Sequence, residues 1–286
     1  MDTRILGKTG LPVSALGFGA MHLPKIGQEE ADRLLNEALD RGITYFDTAA
    51  AYGDGLSEAR LGHAISHRRS EFVLNTKTQK RDYASALQDI ENSLRELKTD
   101  YIDIVQIHYV NYVQEYRHVK MPEGAIRAVE EMKAKGYIGH IGISGHRPEL
   151  LARWVKDYPF ETVLFHLNMA QPYSRRDLIP TLLDENIGMI AMKPLSGPYL
   201  SQIRESLRYS YDSPVHVVLS GMKSLEELTM NLDAFSTPVS PEEQAFLHAM
   251  AEGLDESGCR RCNYCSCPLG IRIPDTLIPS RYRERY

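Results

Sequence analysis

Cysteine is missing from most of this chain: nothing precedes Cys259, and all four cysteines fall between Cys259 and Cys267. A secreted fold stapled by distributed disulfides is thereby excluded, while a local metal or redox site stays open. Apolar runs are short, and none approaches the ~18 residues of a membrane helix. The opening stretch MDTRILGKTG has no continuous apolar segment, so no secretory leader is expected and the cytoplasm is the expected compartment. Basic residues do not dominate either. Lys and Arg number 33 against 38 Asp and Glu, a net charge of −5 with pI ≈ 6.1. The basic footprint of a nucleic-acid binder is therefore lacking. What is present is 43% hydrophobic and 25% charged over 286 residues, an ordinary globular composition.

Short apolar runs alternate with helical periodicity along most of the chain. Leu16–Gly19, Thr44–Thr48, Phe72–Lys77, Tyr101–His108, Ile138–Ser144, Thr162–Asn168, Gly188–Met192 and His216–Ser220 read as eight strands. Helices are expected over Gln28–Arg41, Ser57–Ile65, Asp82–Leu97, Glu123–Lys135, Glu149–Lys156, Asp177–Glu185 and Ser224–Leu232. Such alternation specifies a parallel α/β architecture. Eight units in this length select the closed (β/α)8 TIM barrel, which typically takes about 250 residues, over an open sheet. Arg4–Leu6 and Val13–Leu16 flank Gly7–Pro12 as an N-terminal β-hairpin able to cap one end. A further helix begins at Pro241 with Ser240 as its cap, and a cysteine-rich C-terminal tail follows. No linker interrupts this plan. The expected division is a barrel over residues 1–235, with a helix and tail over 236–286 packed on it.

Active sites of such barrels lie at the C-terminal ends of the strands. Asp47 ends the second strand, Lys77 the third and His108 the fourth, with Tyr52 in the loop after the second. An acid, a base, a phenol and an imidazole on three consecutive strands form a consistent proton-transfer set.

The stretch GITYFDTAAAYGDGLSEARLG (42–62) resembles the signature of the aldo-keto reductase superfamily. LNTKT around Lys77, YIDIVQIH ending at His108 and GHIGISG around Ser144 continue the resemblance over roughly residues 3–235. It implies reduction of an aldehyde or ketone with a nicotinamide cofactor, and a catalytic tetrad of Asp47, Tyr52, Lys77 and His108. Simple physics agrees with those roles. Hydride transfer to a carbonyl produces an alkoxide that needs a proton donor. A phenol with a pKa near 10 is about three units, or about 4 kcal/mol, too weak an acid at neutral pH. One ammonium at about 4 Å in an effective dielectric of about 20 supplies that much. Lys77 is thus expected to lower the pKa of Tyr52, with Asp47 keeping Lys77 charged and partly cancelling its field. A neutral His108 would orient the carbonyl oxygen by donating a hydrogen bond.

The resemblance also implies a cofactor site. Gly19, Ala20 and Met21 leave the first strand as a tight turn. Ser144 and Asn168 fit the carboxamide, although Gly145 and Leu164 stand where the family carries Asn and Gln. Met192 replaces the aromatic that stacks on the nicotinamide, and Lys193 is placed to reach the pyrophosphate. GMKSLEELTMN resembles the segment that receives the adenosine end, with Gly221, Met222, Lys223, Ser224, Glu227 and Asn231 as its contacts. Lys223 and Ser224 favour NADPH through its 2′-phosphate; Glu227 would repel that phosphate or pair with the ribose diol of NADH.

The tail GCRRCNYCSCPLGIRIP resembles that of ferredoxin-like members. Cys259, Cys262, Cys265 and Cys267 suit a [4Fe–4S] cluster or tetrahedral zinc, although the final gap is one residue where the ferredoxin run has three. Free thiols or local disulfides are the third alternative. The leading expectation is therefore an NAD(P)H-dependent carbonyl reductase acting on a small molecule, without nucleic-acid or membrane partners. Its rivals are a regulatory cofactor-binding subunit and an electron-transfer protein using the tail. Tyr109, Tyr112, Tyr116 and Arg117 after the fourth strand, with His22 and His146, are candidates to line the substrate pocket.

Overall fold

The structure is a computed structural model that describes residues 1–196, 200–255, 267–269 and 271. It opens with strands β1 (Thr3–Ile5) and β2 (Pro12–Ser14), paired antiparallel as a hairpin. Gly7 turns this hairpin at φ +51°, and a Cβ there would lie 2.5 Å from the Gly188 backbone nitrogen. Only glycine permits that approach. Leu6 and Val13 are consequently driven into the barrel, where they pack with Tyr45, Ile104, Leu164 and Ile190. The hairpin plugs the N-terminal end of the barrel, as expected.

The barrel units follow in order: β3 (Leu16–Gly19), α1 (Gln28–Asp40), β4 (Tyr45–Asp47), α2 (Leu56–Ile65), β5 (Val73–Thr78), α3 (Tyr83–Glu96) and β6 (Ile102–Ile107). Then come α4 (Val113–Val119), α5 (Ala125–Ala134), β7 (Ile138–Ser144), α6 (Pro148–Asp157) and β8 (Thr162–His166). The chain continues through α7 (Ser174–Asp177), α8 (Ile179–Asp184), β9 (Gly188–Met192), α9 (Ile203–Tyr211), β10 (Val217–Gly221), α10 (Leu225–Ala234) and α11 (Pro241–Asp255). Strands β3 to β10 pair in parallel and close between β10 and β3. The eight strands are those read from the apolar runs. Outward-facing residues of the strands meet the apolar stripes of the helices in one continuous core.

Three helical details differ from expectation. The helix expected over Asp177–Glu185 is two short helices that meet at Leu178, because Pro180 in the first turn of α8 cannot donate to the preceding turn. The segment after His108 forms α4 instead of a loop. Helix α9 lacks an apolar signature because its buried face includes Ser206, Arg208 and Ser210.

Arg208, 1% exposed, explains that face. Its guanidinium donates to the carbonyls of Ala234, Thr237 and Pro238 and to the Glu243 carboxylate, so one side chain ties the α10–α11 connection to α9. Ser240 caps α11 by accepting from the Glu243 N–H at 3.1 Å, and Leu247 and Ala251 pack with Met169 and Tyr209. Among the described residues, no helix is long and apolar enough to cross a membrane. Cys259, Cys262 and Cys265 lie outside the described residues. No group of three or more His, Cys, Asp or Glu that could hold a metal occurs among those described.

Candidate active site

Parallel pairing brings Asp47, Lys77 and His108 to the same end of neighbouring strands. Asp47 is in register with Asn75 across β4 and β5, and Lys77 with Gln106 across β5 and β6. Strand alternation then aims Asn75 and Lys77 at the barrel axis. Lys77 is buried, and its Nζ donates to Asp47 Oδ1 at 2.5 Å and to the Thr48 carbonyl at 2.5 Å. Asn75 donates to the second Asp47 oxygen at 2.5 Å. Tyr52 completes the group: Lys77 Nζ lies 5.1 Å from its ring centroid, close enough for the ammonium and the phenol to influence each other's charge. The His108 ring stands edge-on to Tyr52, 5.8 Å between centroids at 82°.

The charges follow from this packing. Burial disfavours the Lys77 ammonium, but Asp47 and Tyr52 outweigh it and hold the lysine above its ordinary pKa. Burial pushes the Asp47 carboxyl up, while Lys77 and Asn75 pull it back. For His108, burial and then the charges of Lys77 and Arg81 lower the pKa to about 3, so the imidazole is neutral at any ordinary working pH. For Tyr52 the expectation needs correcting. Lys77 does pull its pKa down, but burial is the larger effect and Asp47 adds to it, leaving the phenol above its ordinary value. Tyr52 therefore rests protonated.

The residues expected at the cofactor lie around the same mouth. Gly19 and Gly221 end β3 and β10, and a Cβ on Gly19 would approach the Ser220 carbonyl to 3.1 Å. Ala20 and Met222 are buried, and Met21 is exposed. Ser144, at the end of β7, accepts from the Tyr109 N–H at 2.9 Å. Asn168 is buried; its amide donates to the Lys193 carbonyl at 2.9 Å, while Oδ1 faces no donor among the described residues. That oxygen suits a carboxamide NH2, so this end of the site fits a nicotinamide nucleotide. Lys193 follows Met192 at φ +56°. Ser224 caps α10 by accepting from the Glu227 N–H at 3.2 Å, and Glu227 Oε2 accepts from the Lys223 N–H at 2.8 Å. Asn231 donates to Ser220 Oγ at 3.1 Å, which fixes α10 against β10.

Beside Ser144 and Asn168, Tyr109 meets His146 edge-on at 4.6 Å, and His146 stacks on His166 at 3.9 Å. His166 ends β8 and was not anticipated; the two-residue alternation from Thr162 and Leu164 would have found it. Tyr116 leaves the candidate pocket altogether. Helix α4 turns it onto Trp154, with ring centroids 4.7 Å apart, and its hydroxyl donates to Asp157 at 2.8 Å. Arg117 is exposed on the same helix. His22 lies against Gly221, where an added Cβ would meet its ring at 2.9 Å.

Comparison with known proteins agrees with this geometry. The Aldo/keto reductase family profile matches residues 15–209. The uncharacterized oxidoreductase YqkF of Bacillus subtilis (strain 168) is 30% identical over 81% of this chain and 79% of its own length. L-galactose dehydrogenase of Arabidopsis thaliana is 30% identical over 71% of this chain and 68% of its own. Among solved structures, aldo-keto reductase AKR11C1 from Bacillus halodurans (holo form) superposes with a TM-score of 0.75 at 26% identity. That match covers 91% of this chain and 99% of that one. Strand order, the buried Asp47–Lys77 pair beside Tyr52 and these matches agree: the chain is a member of the aldo/keto reductase family and an oxidoreductase.

Proposed function

We propose that this chain reduces an aldehyde or ketone to an alcohol with NAD(P)H, and that Tyr52 delivers the proton. The observation that carries this reading is the Lys77 ammonium, buried against Asp47 and 5.1 Å from the Tyr52 ring centroid beside a neutral imidazole. A bound nicotinamide supplies the hydride. The protein supplies everything else. His108, uncharged, donates one hydrogen bond to the carbonyl oxygen and holds it toward the phenol. Tyr52 keeps its proton until alkoxide character develops, because burial disfavours the phenolate. An alkoxide is far more basic than a phenolate, so transfer is downhill even from a weakly acidic Tyr52. Lys77 compensates the negative charge arriving on the phenol oxygen, and Asp47 and Thr48 hold Lys77 in place.

Asn168 and Ser144 are assigned to the carboxamide, with Gly19, Ala20, Met21 and Met192 around the ring. Lys193 is assigned to the pyrophosphate. Gly221, Met222, Lys223, Ser224, Glu227 and Asn231 form the adenosine end, where the exposed Lys223 side chain favours the 2′-phosphate of NADPH. The four tail cysteines enter no step. Iron, sulfide and zinc analysis of anaerobically purified protein decides between a cluster, a zinc site and free thiols; absence of all three removes the metal.

The test is cofactor oxidation with a panel of small aldehydes and ketones, followed by nicotinamide absorbance and by alcohol analysis. The expected result is one alcohol formed per cofactor oxidised. Tight cofactor binding with no turnover of any carbonyl would instead favour a regulatory binding subunit.

A further inference from the structure

Strand β5 has a second face. While Asn75 and Lys77 point inward, Thr76 and Thr78 point outward, and each hydroxyl donates to a buried or half-buried carboxylate. Thr76 Oγ1 reaches Glu58 Oε1 of α2 at 2.5 Å, and Thr78 Oγ1 reaches Asp89 Oδ2 of α3 at 2.6 Å. The residues immediately before and after Lys77 are thus clamped from outside the barrel. Glu58 is 1% exposed, and Ser93 of α3, itself buried, helps to favour its charged form.

A neutral acceptor would hold a threonine hydroxyl equally well, whereas taking a carboxylate out of water is costly. A titratable carboxyl in place of an amide therefore needs a reason, and Lys77 follows Thr76 on the other face of the same strand. We propose that Glu58 is a positioning residue for Lys77 and Tyr52, fixing β5 through Thr76 and opposing the Lys77 field with its own charge. This rests on the reading of Lys77 and Tyr52 as the proton-delivering pair.

The surroundings let Glu58 change charge. Burial, above all, pushes its carboxyl up to about 7; the Thr76 hydrogen bond, Ser93 and Lys77 resist this, and Asp89 adds to it. A cleft of about 600 Å³ opens beside it, so protons have access. The charged groups around that cleft are Asp54 from the β4–α2 loop, Lys80 from the β5–α3 loop, and Asp89, Arg95 and Glu96 from α3. Against α1, helix α2 presents a different contact, the His63–Asp32 pair at 3.1 Å. Ionised Glu58 stabilises the ammonium of Lys77 and disfavours phenolate at Tyr52. Protonated Glu58 leaves the Lys77 field unopposed and makes Tyr52 the stronger acid.

The experiment uses the full chain labelled with [13Cζ]tyrosine, the Tyr52 signal being assigned with Tyr52→Phe. In the wild type the Tyr52 shift carries an inflection near pH 7, and Glu58→Gln, which still accepts from Thr76, removes it. The kcat for an aldehyde shows the same inflection, rising at least twofold below it, and Glu58→Gln holds the higher rate at both ends with KM unchanged. Thr76→Val keeps the carboxylate but loses the clamp, so kcat falls about tenfold while cofactor Kd stays the same. A Tyr52 signal without the inflection, or one that keeps it in Glu58→Gln, overturns the electrostatic role. Wild-type kcat in Thr76→Val overturns the clamp. If no carbonyl is reduced at all, the spectroscopic arm still decides on Glu58, and the failure belongs to the proposed reaction.

Discussion

A lysine with no solvent contact survives only if its charge is answered, and Lys77 is answered by one carboxylate, one carbonyl and one phenol. Removing the ammonium alone strands the Asp47 charge. Lys77→Met should accordingly lose turnover and also destabilise the fold by about 3–5 kcal/mol, the usual result of breaking a buried pair. The double variant Asp47→Asn/Lys77→Met should recover much of the stability and none of the activity; chemical denaturation and aldehyde turnover separate the two effects. At the proposed adenosine end the relevant residue is Glu227, whose carboxylate sits at the Lys223 N–H. Glu227→Gln removes its repulsion of a 2′-phosphate, so Kd for NADPH should fall severalfold relative to Kd for NADH. Fluorescence titration with both cofactors reads the ratio; an unchanged ratio places Glu227 away from the phosphate. Asp47 and Lys77 were legible because chemistry-bearing side chains end apolar runs, and Glu227 only through the family resemblance. Glu58, Asn75 and His166 were not, since their roles depend on which neighbour each strand face meets.

At the scale of elements, strands were easier to read than helices. A strand buried on both faces is an apolar run, whereas α9 buries serines and an arginine whose role depends on a connection beyond β10 and α10. Arg208→Leu should test that account. The carbonyls of Ala234, Thr237 and Pro238 and the Glu243 carboxylate lose their donor, and stability should drop by about 3–5 kcal/mol with α11 exchanging amide protons faster. The same packing logic explains Tyr116, which joins Trp154 because α4 forms where a pocket-lining loop was expected. Farther from the mouth, Glu161 joins β8 to β7 and α5. Burial would raise its pKa, but His140, Lys133 and the Ile141 N–H outweigh burial and hold it at about 2. A depressed carboxylate stabilises the fold above its unfolded pKa and loses that contribution as pH falls through the folded one. The Tm gap between wild type and Glu161→Gln should therefore be widest above about pH 4.5 and close toward pH 2.

For the whole molecule, barrel closure is what turns scattered residues into a site. Asp47, Tyr52, Lys77 and His108 meet because β4, β5 and β6 are parallel neighbours, and Gly221 at the end of β10 is brought beside Gly19 because β10 closes onto β3. Eight apolar runs and one hairpin made that architecture readable. The depth of burial was not readable, and it reverses the expected sign at Tyr52, since desolvation depends on every layer around the mouth. The central claim is that this buried, protonated phenol is the acid. Its most direct test is aldehyde turnover by Tyr52→Phe beside His108→Gln, with cofactor Kd measured for both. Tyr52→Phe should bind cofactor as the wild type does and lose about 10²–10⁴-fold in kcat, with His108→Gln retaining more activity. Near wild-type turnover in Tyr52→Phe together with an inactive His108→Gln would contradict the account.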